Sequence, residues 1–295
     1  MASLKEVRNR IVSVNSTQQI TKAMKMVSAA KLRRAQDSIM QMRPYAQKLG
    51  EMLATVSAGT ETAFESPLKK ARPVEKVLMI VVTSDRGLAG AFNSNVLKAT
   101  LNRIEARYAE QARRGQVEIL AIGKKGAEAL ARRGYKVDTR YTDLFTRLSF
   151  VAVKEAAEQI MAAYSEGQYD AVELVFNEFK NVATQIVRTE PYLPISSDTT
   201  PGPAGSASSV NYLFEPSEEE IITELIPKTL KVQLYRAVLE SNASEHGARM
   251  TAMDKATDNA QELIKELKLV YNRTRQAAIT KEILEIVGGA EALSA

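Results

Sequence analysis

Cysteine and tryptophan are absent from this chain of 295 residues, and histidine occurs once, at His246. The first absence removes disulfides, thiolate zinc sites, iron–sulfur clusters and thiol nucleophiles together. A single histidine excludes any multi-histidine metal site. Long apolar runs are missing too: the longest, Val77 to Val82, falls far short of the roughly 18 residues a membrane-spanning helix needs. No GxxxxGK[ST] loop, GxGxxG turn or GxSxG elbow occurs. Met1 leads directly into charged, amphipathic sequence, so neither a signal peptide nor a transit peptide is expected. Present instead is an apolar fraction of 45%, enough for a sizeable core in a soluble, intracellular protein.

Charge is unevenly spread. Residues 1–57 carry ten lysines and arginines against three acidic residues, whereas the whole chain has an excess of only five. Residues 217–288 carry ten against twelve. A basic first segment is either a solvated helix face or a surface for nucleic acid, an anionic membrane or an acidic protein. Tyr45 is its one aromatic before Phe64, which disfavours stacking on single-stranded nucleic acid.

Both ends follow a 3.5-residue repeat. At the N-terminus it runs Leu4, Val7, Ile11, Val14, Gln18, Thr21, Lys25, Ser28, Leu32, Ala35, Ile39, Met42, Ala46, Leu49, Leu53 and Val56, with a polar centre. A second apolar stripe, shifted by one position, passes through Ile20, Met24 and Val27. This predicts a helix of about 50 residues, roughly 75 Å long, kinked or tightened at Pro44. Toward the C-terminus, Met253, Ala256, Ala260, Leu263, Leu267, Val270, Thr274, Ala277, Lys281 and Leu284 repeat the pattern. That helix is expected to open on the acidic stretch Glu218–Glu220, bend near Pro227 and stop at Gly288 and Gly289. Antiparallel pairing of Val56 with about residue 218 sets Leu4 opposite about residue 270. Everything beyond then has no partner helix, although it still carries Ile279, Ile283, Leu284, Ile286 and Val287. Such a bare end needs a socket in another protein, the alternative being a last turn that folds back on itself.

The middle of the chain changes period. Val77–Val82 and Val117–Ile122 read as buried parallel strands and Tyr135–Tyr141 as a weaker strand, while Ala171–Phe179 and Ala183–Thr189 alternate as strands, the last closed by Pro191 and Pro194. Helices are expected over Ala91–Ala112, Lys124–Arg133 and Val151–Tyr164. The fold class is therefore α/β: a long antiparallel coiled coil of the N- and C-terminal helices plus a small, Rossmann-like central domain of mainly parallel sheet. The divisions are 1–59 for the first coiled-coil helix, 74–195 for the central domain, 196–209 for a flexible linker, and 210–295 for a foot segment and the second helix. The turn Ser84 to Gly90 sits where such sheets bind ligands, but a tight turn needing glycine and an Asp cap is the better explanation. No catalytic residue, metal or cofactor is expected.

The segments Arg10–Val14 (RIVSV) and Thr17–Val27 (TQQITKAMKMV), the turn Ser84–Gly90 (SDRGLAG), Ala248–Met250 with Met253, Ala256–Ala260 (ATDNA), and Ile279–Glu282 followed by Glu285 and Gly289–Ala290 together resemble the γ subunit of F-type ATP synthase. The likeness covers essentially the whole chain in order. It implies a non-catalytic rotor shaft inside a ring of α and β subunits, with a foot that rests, together with the ε subunit, on the c-subunit ring. By that resemblance Met24, Lys25, Arg249, Gln276, Thr280 and Glu282 are the contacts with the α/β ring, and Tyr212 and Glu215 the foot contacts with the c ring. No transmembrane segment and no nucleic-acid partner are implied, and the place is the cytoplasmic face of a bacterial plasma membrane. The plant-type redox insertion is missing. The alternatives are a basic coiled-coil nucleic-acid binder and an enzyme working at the Asp85–Gly90 turn.

Overall fold

The computed structural model describes residues 3–59, 66–195 and 218–294, with side chains left aside at 53–59, 218–220, 222 and 291–294. Two compact units emerge, one formed by residues 1–28 and 250–295 and the other by residues 29–249. Two helices run through both: α1 (Leu4–Gly59) and α6 (Glu218–Ser294).

The larger unit is built on a five-stranded sheet of order β3-β2-β1-β4-β5, comprising β1 (Val77–Val82), β2 (Val117–Ile122), β3 (Lys136–Asp138), β4 (Ala171–Phe179) and β5 (Gln185–Leu193). The first four are parallel and β5 is antiparallel to β4. The alternation of side chains along β1 explains why its whole run is apolar. Leu78, Ile80 and Val82 enter one core with α5 (Phe150–Ser165), Leu49 of α1, and Leu225, Leu230 and Leu234 of α6. Val77, Met79 and Val81 enter a second with Val96 and Ile104 of α2 (Phe92–Arg107) and Leu130 of α4 (Lys124–Ala131). Each fully buried Leu or Ile contributes about 1.5–3 kcal/mol of transfer free energy.

Three expected boundaries moved. The helix expected over Ala91–Ala112 breaks at Tyr108 into α2 and α3 (Ala109–Arg113). Tyr108 leaves the helical region (φ −129°, ψ 27°) and aims its hydroxyl at the buried carboxylate of Glu173, 2.6 Å away. Pro191 does not close β5, which continues to Leu193. The ladder shifts beside it, between Val172 and Glu173, and β5 is an edge strand, so the missing N–H costs no inner hydrogen bond. The strand expected at Tyr135–Tyr141 shrinks to β3, because Asp138 turns back to accept from the Arg140 backbone at 3.0 Å.

The smaller unit is the antiparallel pair of helix ends. Its seam is the 3.5-residue repeat: Val7, Ser28, Met253, Ala260 and Leu267 are buried, and Ile11, Val14, Gln18 and Thr21 half-buried. The shifted stripe is not a seam, since Ile20 and Val27 are each 57% exposed. Thr21 and Thr257 share a hydrogen bond of 2.8 Å, and Lys25 pairs with Asp254. These two contacts set the register about one turn beyond the expected one, placing Leu4 opposite about residue 274. Helix α1 runs through Pro44, which is exposed like Met40 one turn earlier, so the carbonyl the proline cannot reach lies on the solvent side of the helix. Helix α6 likewise runs through Pro227 and past Gly288 and Gly289 to Ser294. Glycine weakens a helix by about 1 kcal/mol without obliging it to stop.

Candidate interaction surfaces

Every described side chain from Arg275 to Ala290 is exposed. Among the described residues nothing covers Ile279 (49% exposed), Ile283 (54%), Leu284 (66%), Ile286 (66%) or Val287 (51%). With backbone to Ser294, this is a single helix about 30 Å long whose apolar face has no cover. Gln276, Thr280 and Glu282 lie on this stretch. The Thr280 hydroxyl donates to the Gln276 carbonyl at 2.9 Å, within the helix, and Lys281 pairs with Glu285 at 3.5 Å.

Met24 and Lys25 sit lower on the helix pair. Met24 is half-buried, its neighbour Met26 is 61% exposed, and the Lys25 ammonium is matched by Asp254 of the facing helix. Within the polar centre of the seam, Thr21 and Lys25 thus pair one helix with the other in a single register, as polar positions do in coiled coils, while the Ser28 hydroxyl donates to the Met24 carbonyl of its own helix.

Arg249 is placed differently. Its side chain is only 11% exposed. One guanidinium nitrogen donates to Glu245 at 2.6 Å; the other donates to the carbonyls of Arg86 and Gly87 at 3.1 and 3.4 Å. The two motifs singled out in sequence, the Ser84–Gly90 turn and the Arg249 segment, therefore meet within the larger unit. Around the turn, the Ser84 amide donates to Asn93 at 3.0 Å, and Asp85 accepts from the Lys124 amide at 3.3 Å at the start of α4. The carboxyl side of the sheet, where an α/β fold would take a ligand, is filled by the chain's own polar groups. Leu88 crosses into the left-handed region (φ 62°) and holds a side chain 66% exposed, a strained posture for a residue with a Cβ. Tyr212 and Glu215 lie outside the described residues.

His246 neighbours this cluster. Burial first, then the positive charges of Arg249 and Lys31, push its imidazole down to about 4, and its Nδ1 has no partner among the described residues. Unfolded chain takes up the proton near pH 6.5, whereas folded chain holds it only near pH 4. Over that interval the unfolded state binds more protons, so stability falls as the pH drops from about 6.5 to about 4. Burial raises the nearby Glu245, which works in the opposite sense on acidification; Asp85 pushes it the same way, while Arg249 and Lys31 oppose. Replacing His246 by Gln should remove about 1–3 kcal/mol of acid sensitivity, read from urea midpoints near pH 7 and near pH 4.5. An unchanged difference between the two pH values would refute this.

Sequence reasoning missed Glu173, Arg43, Glu240 and Glu245, all of which pair with residues remote in sequence or lie beside such pairs. Glu173 did leave a signal: an acid set between the apolar pairs Ala171–Val172 and Leu174–Val175 of a strand has to find a buried partner.

An antiparallel helix pair with an uncovered apolar end, in one chain with an α/β unit, defines the class as a coiled-coil protein with an inserted α/β domain. The whole chain, residues 3–293, matches the family model described as ATP synthase. The ATP synthase gamma chain of Cytophaga hutchinsonii is 60% identical over 294 residues, covering 100% of both chains, and that of Flavobacterium johnsoniae is 55% identical with the same coverage. Among solved structures, the chain is similar to one in the central stalk/c-ring of Tetrahymena thermophila mitochondrial ATP synthase (TM-score 0.56, 25% identity, 80% of this chain and 99% of that one). A chain of the Euglena gracilis mitochondrial enzyme in rotational state 3 shares the fold (TM-score 0.63, 20% identity, 98% and 94% covered). The chain belongs to the ATP synthase gamma family, the non-catalytic central rotor stalk of F-type ATP synthase. That assignment replaces both the nucleic-acid and the enzyme alternatives. The complex is membrane-associated, and no described helix of this chain is long and apolar enough to cross a membrane.

Proposed function

We propose that the bare apolar end of α6 sits in a socket formed by the α and β subunits, and that Met24, Lys25, Arg249, Gln276, Thr280 and Glu282 transmit the rotation angle to the catalytic sites. The single observation that carries this is the uncovered face from Ile279 to Val287, which water alone would disfavour. The foot, with ε, rides on the c ring at the cytoplasmic face of a bacterial plasma membrane, in keeping with bacterial relatives. Coupling of this kind transmits only differences in contact energy between angular states. The two sides of the helix pair differ suitably. Residues 1–28 carry five basic residues against one acidic, and residues 250–294 six against seven. A fixed charge on the ring would therefore meet a basic side at one angle and a near-neutral side at another.

The test is reconstitution. The isolated chain should bind no ATP yet restore ATPase activity to purified α and β subunits, and failure to co-assemble would end the reading. A chain cut before Ile279 should still assemble through the rest of α1 and α6 but dissociate faster on dilution. An assembly of unaltered lifetime would place the apolar end outside any socket.

A further inference from the structure

A shaft can transmit torque only where it is fixed against twisting, and one place in the larger unit is built for that. Glu240 of α6 is 4% exposed. Its carboxylate accepts from Arg43 of α1, at 3.0 Å from Nε and at 2.9 and 3.2 Å from Nη2, and from the backbone N–H of Phe179, the last residue of β4, at 3.0 Å. The same Nη2 also donates to the Phe179 carbonyl at 3.2 Å. Three elements, α1, α6 and the sheet, are thereby closed into one ring of charge-assisted hydrogen bonds. One turn along α6, the Ser244 hydroxyl donates to the Asn177 carbonyl at 3.2 Å.

Apolar packing between helices and sheet is non-directional, so a twisting load can slide it. A forked guanidinium on a carboxylate has a fixed geometry and resists rotation. Resting on the rotor reading above, we propose that Arg43 and Glu240 are positioning residues that lock the two shaft helices to the sheet against torsion. Neither residue needs to touch the α/β ring: they act through the angle at which α1 and α6 leave the sheet. The Glu240 side chain is 5% exposed while that of Arg43 is 51% exposed, so water reaches the guanidinium but hardly the carboxylate, which depends on Arg43 and the Phe179 amide for its hydrogen bonds.

The experiment uses the complete complex in sealed vesicles, with Arg43→Lys, Arg43→Ala and Glu240→Gln. ATP hydrolysis and ATP-driven proton pumping are measured side by side. Angular fluctuations of a probe on the rotor are recorded with the ring held still. Lysine keeps the charge but not the fork, so Arg43→Lys should assemble normally. Its fluctuations should broaden, and its pumping per ATP hydrolysed should drop. Arg43→Ala and Glu240→Gln should lower that ratio further, by about fivefold. Unbroadened fluctuations and an unchanged ratio in Arg43→Lys would overturn the proposal, including the case where Arg43→Ala merely fails to assemble. A wild-type chain that cannot restore coupled activity would instead sink the rotor reading itself.

Discussion

Gly123→Ala is expected to prevent the α/β unit from folding at all. Gly123 links β2 to α4 at φ +102°, ψ 136°, a conformation a side chain resists whatever the space around it. Space is missing as well. An added Cβ would stand 2.1 Å from the Thr83 carbonyl oxygen and 2.6 Å from its carbon, both backbone atoms. Thr83 cannot retreat. Its amide donates to the Ile122 carbonyl at 2.8 Å, and its hydroxyl accepts from the Gly126 amide at 2.8 Å, tying the ends of β1 and β2 together. A strained φ combined with a backbone clash belongs with the most damaging substitutions, above about 4 kcal/mol. That approaches the whole stability of an ordinary domain. Urea denaturation followed by circular dichroism should find no cooperative sheet transition in the variant. Gly288→Ala is the control: nothing lies within 4 Å of its would-be Cβ, so no loss is expected. A Gly123→Ala midpoint equal to wild type would refute the argument.

Glu173→Ala should have the next largest effect on stability. The Glu173 carboxylate, 1% exposed in the inner strand β4, accepts from Arg103 Nε and Nη2 at 2.6 and 2.8 Å, from Arg107 at 3.3 Å and from the Tyr108 hydroxyl at 2.6 Å. Removing the acid strands the Tyr108 hydroxyl, whose own ionisation burial already opposes, and leaves Arg103 beside an apolar strand. Arg107 is half in water and simply turns outward, which trims the cost. Breaking such a pair from one side costs about 3–5 kcal/mol, whereas Tyr108→Phe, which deletes one bond of several, should cost about 1–2 kcal/mol. Urea midpoints of the full-length chain give both values. Equal effects from the two substitutions would mean that the charge is not what holds α2 to the sheet. Because α2 begins directly after the Ser84–Gly90 turn, the same loss should disturb the seat of Arg249.

Much of this architecture was legible because the decisive signals are local and periodic. The run Val77–Val82 was placed to the residue because both faces of a buried parallel strand are apolar, and Ala171–Phe179 because its residues alternate as a strand. The long 3.5-residue repeats predicted both helices and the seam that Val7, Ser28, Met253, Ala260 and Leu267 occupy. Propensity misled where tertiary contacts compete with it. Tyr108 breaks a helix to reach Glu173, Pro191 is tolerated because its strand is an edge, and Gly288 and Gly289 do not end α6. The register of the helix pair moved by about a turn. Spacing arithmetic constrains lengths, whereas register is decided by which polar residues meet, here Thr21 with Thr257 and Lys25 with Asp254.

The interaction surfaces divide in the same way. Apolar residues at Ile279, Ile283, Leu284, Ile286 and Val287 beyond the reach of a partner helix could be found by counting, and the family likeness was carried by short motifs that keep their order. Amino-acid order alone thus determined the fold class, the two terminal helices and the family, all of which depend on residues near one another along the chain. Only the tertiary structure decided that Arg249 closes on the Arg86 and Gly87 carbonyls, that Glu173 gathers Arg103, Arg107 and Tyr108, and that Arg43 meets Glu240 at the end of β4. Those pairs lie 65 to 197 positions apart, and no periodicity links them. What brings such charges together is the burial of a carboxylate or guanidinium, which is costly until a partner from another element arrives.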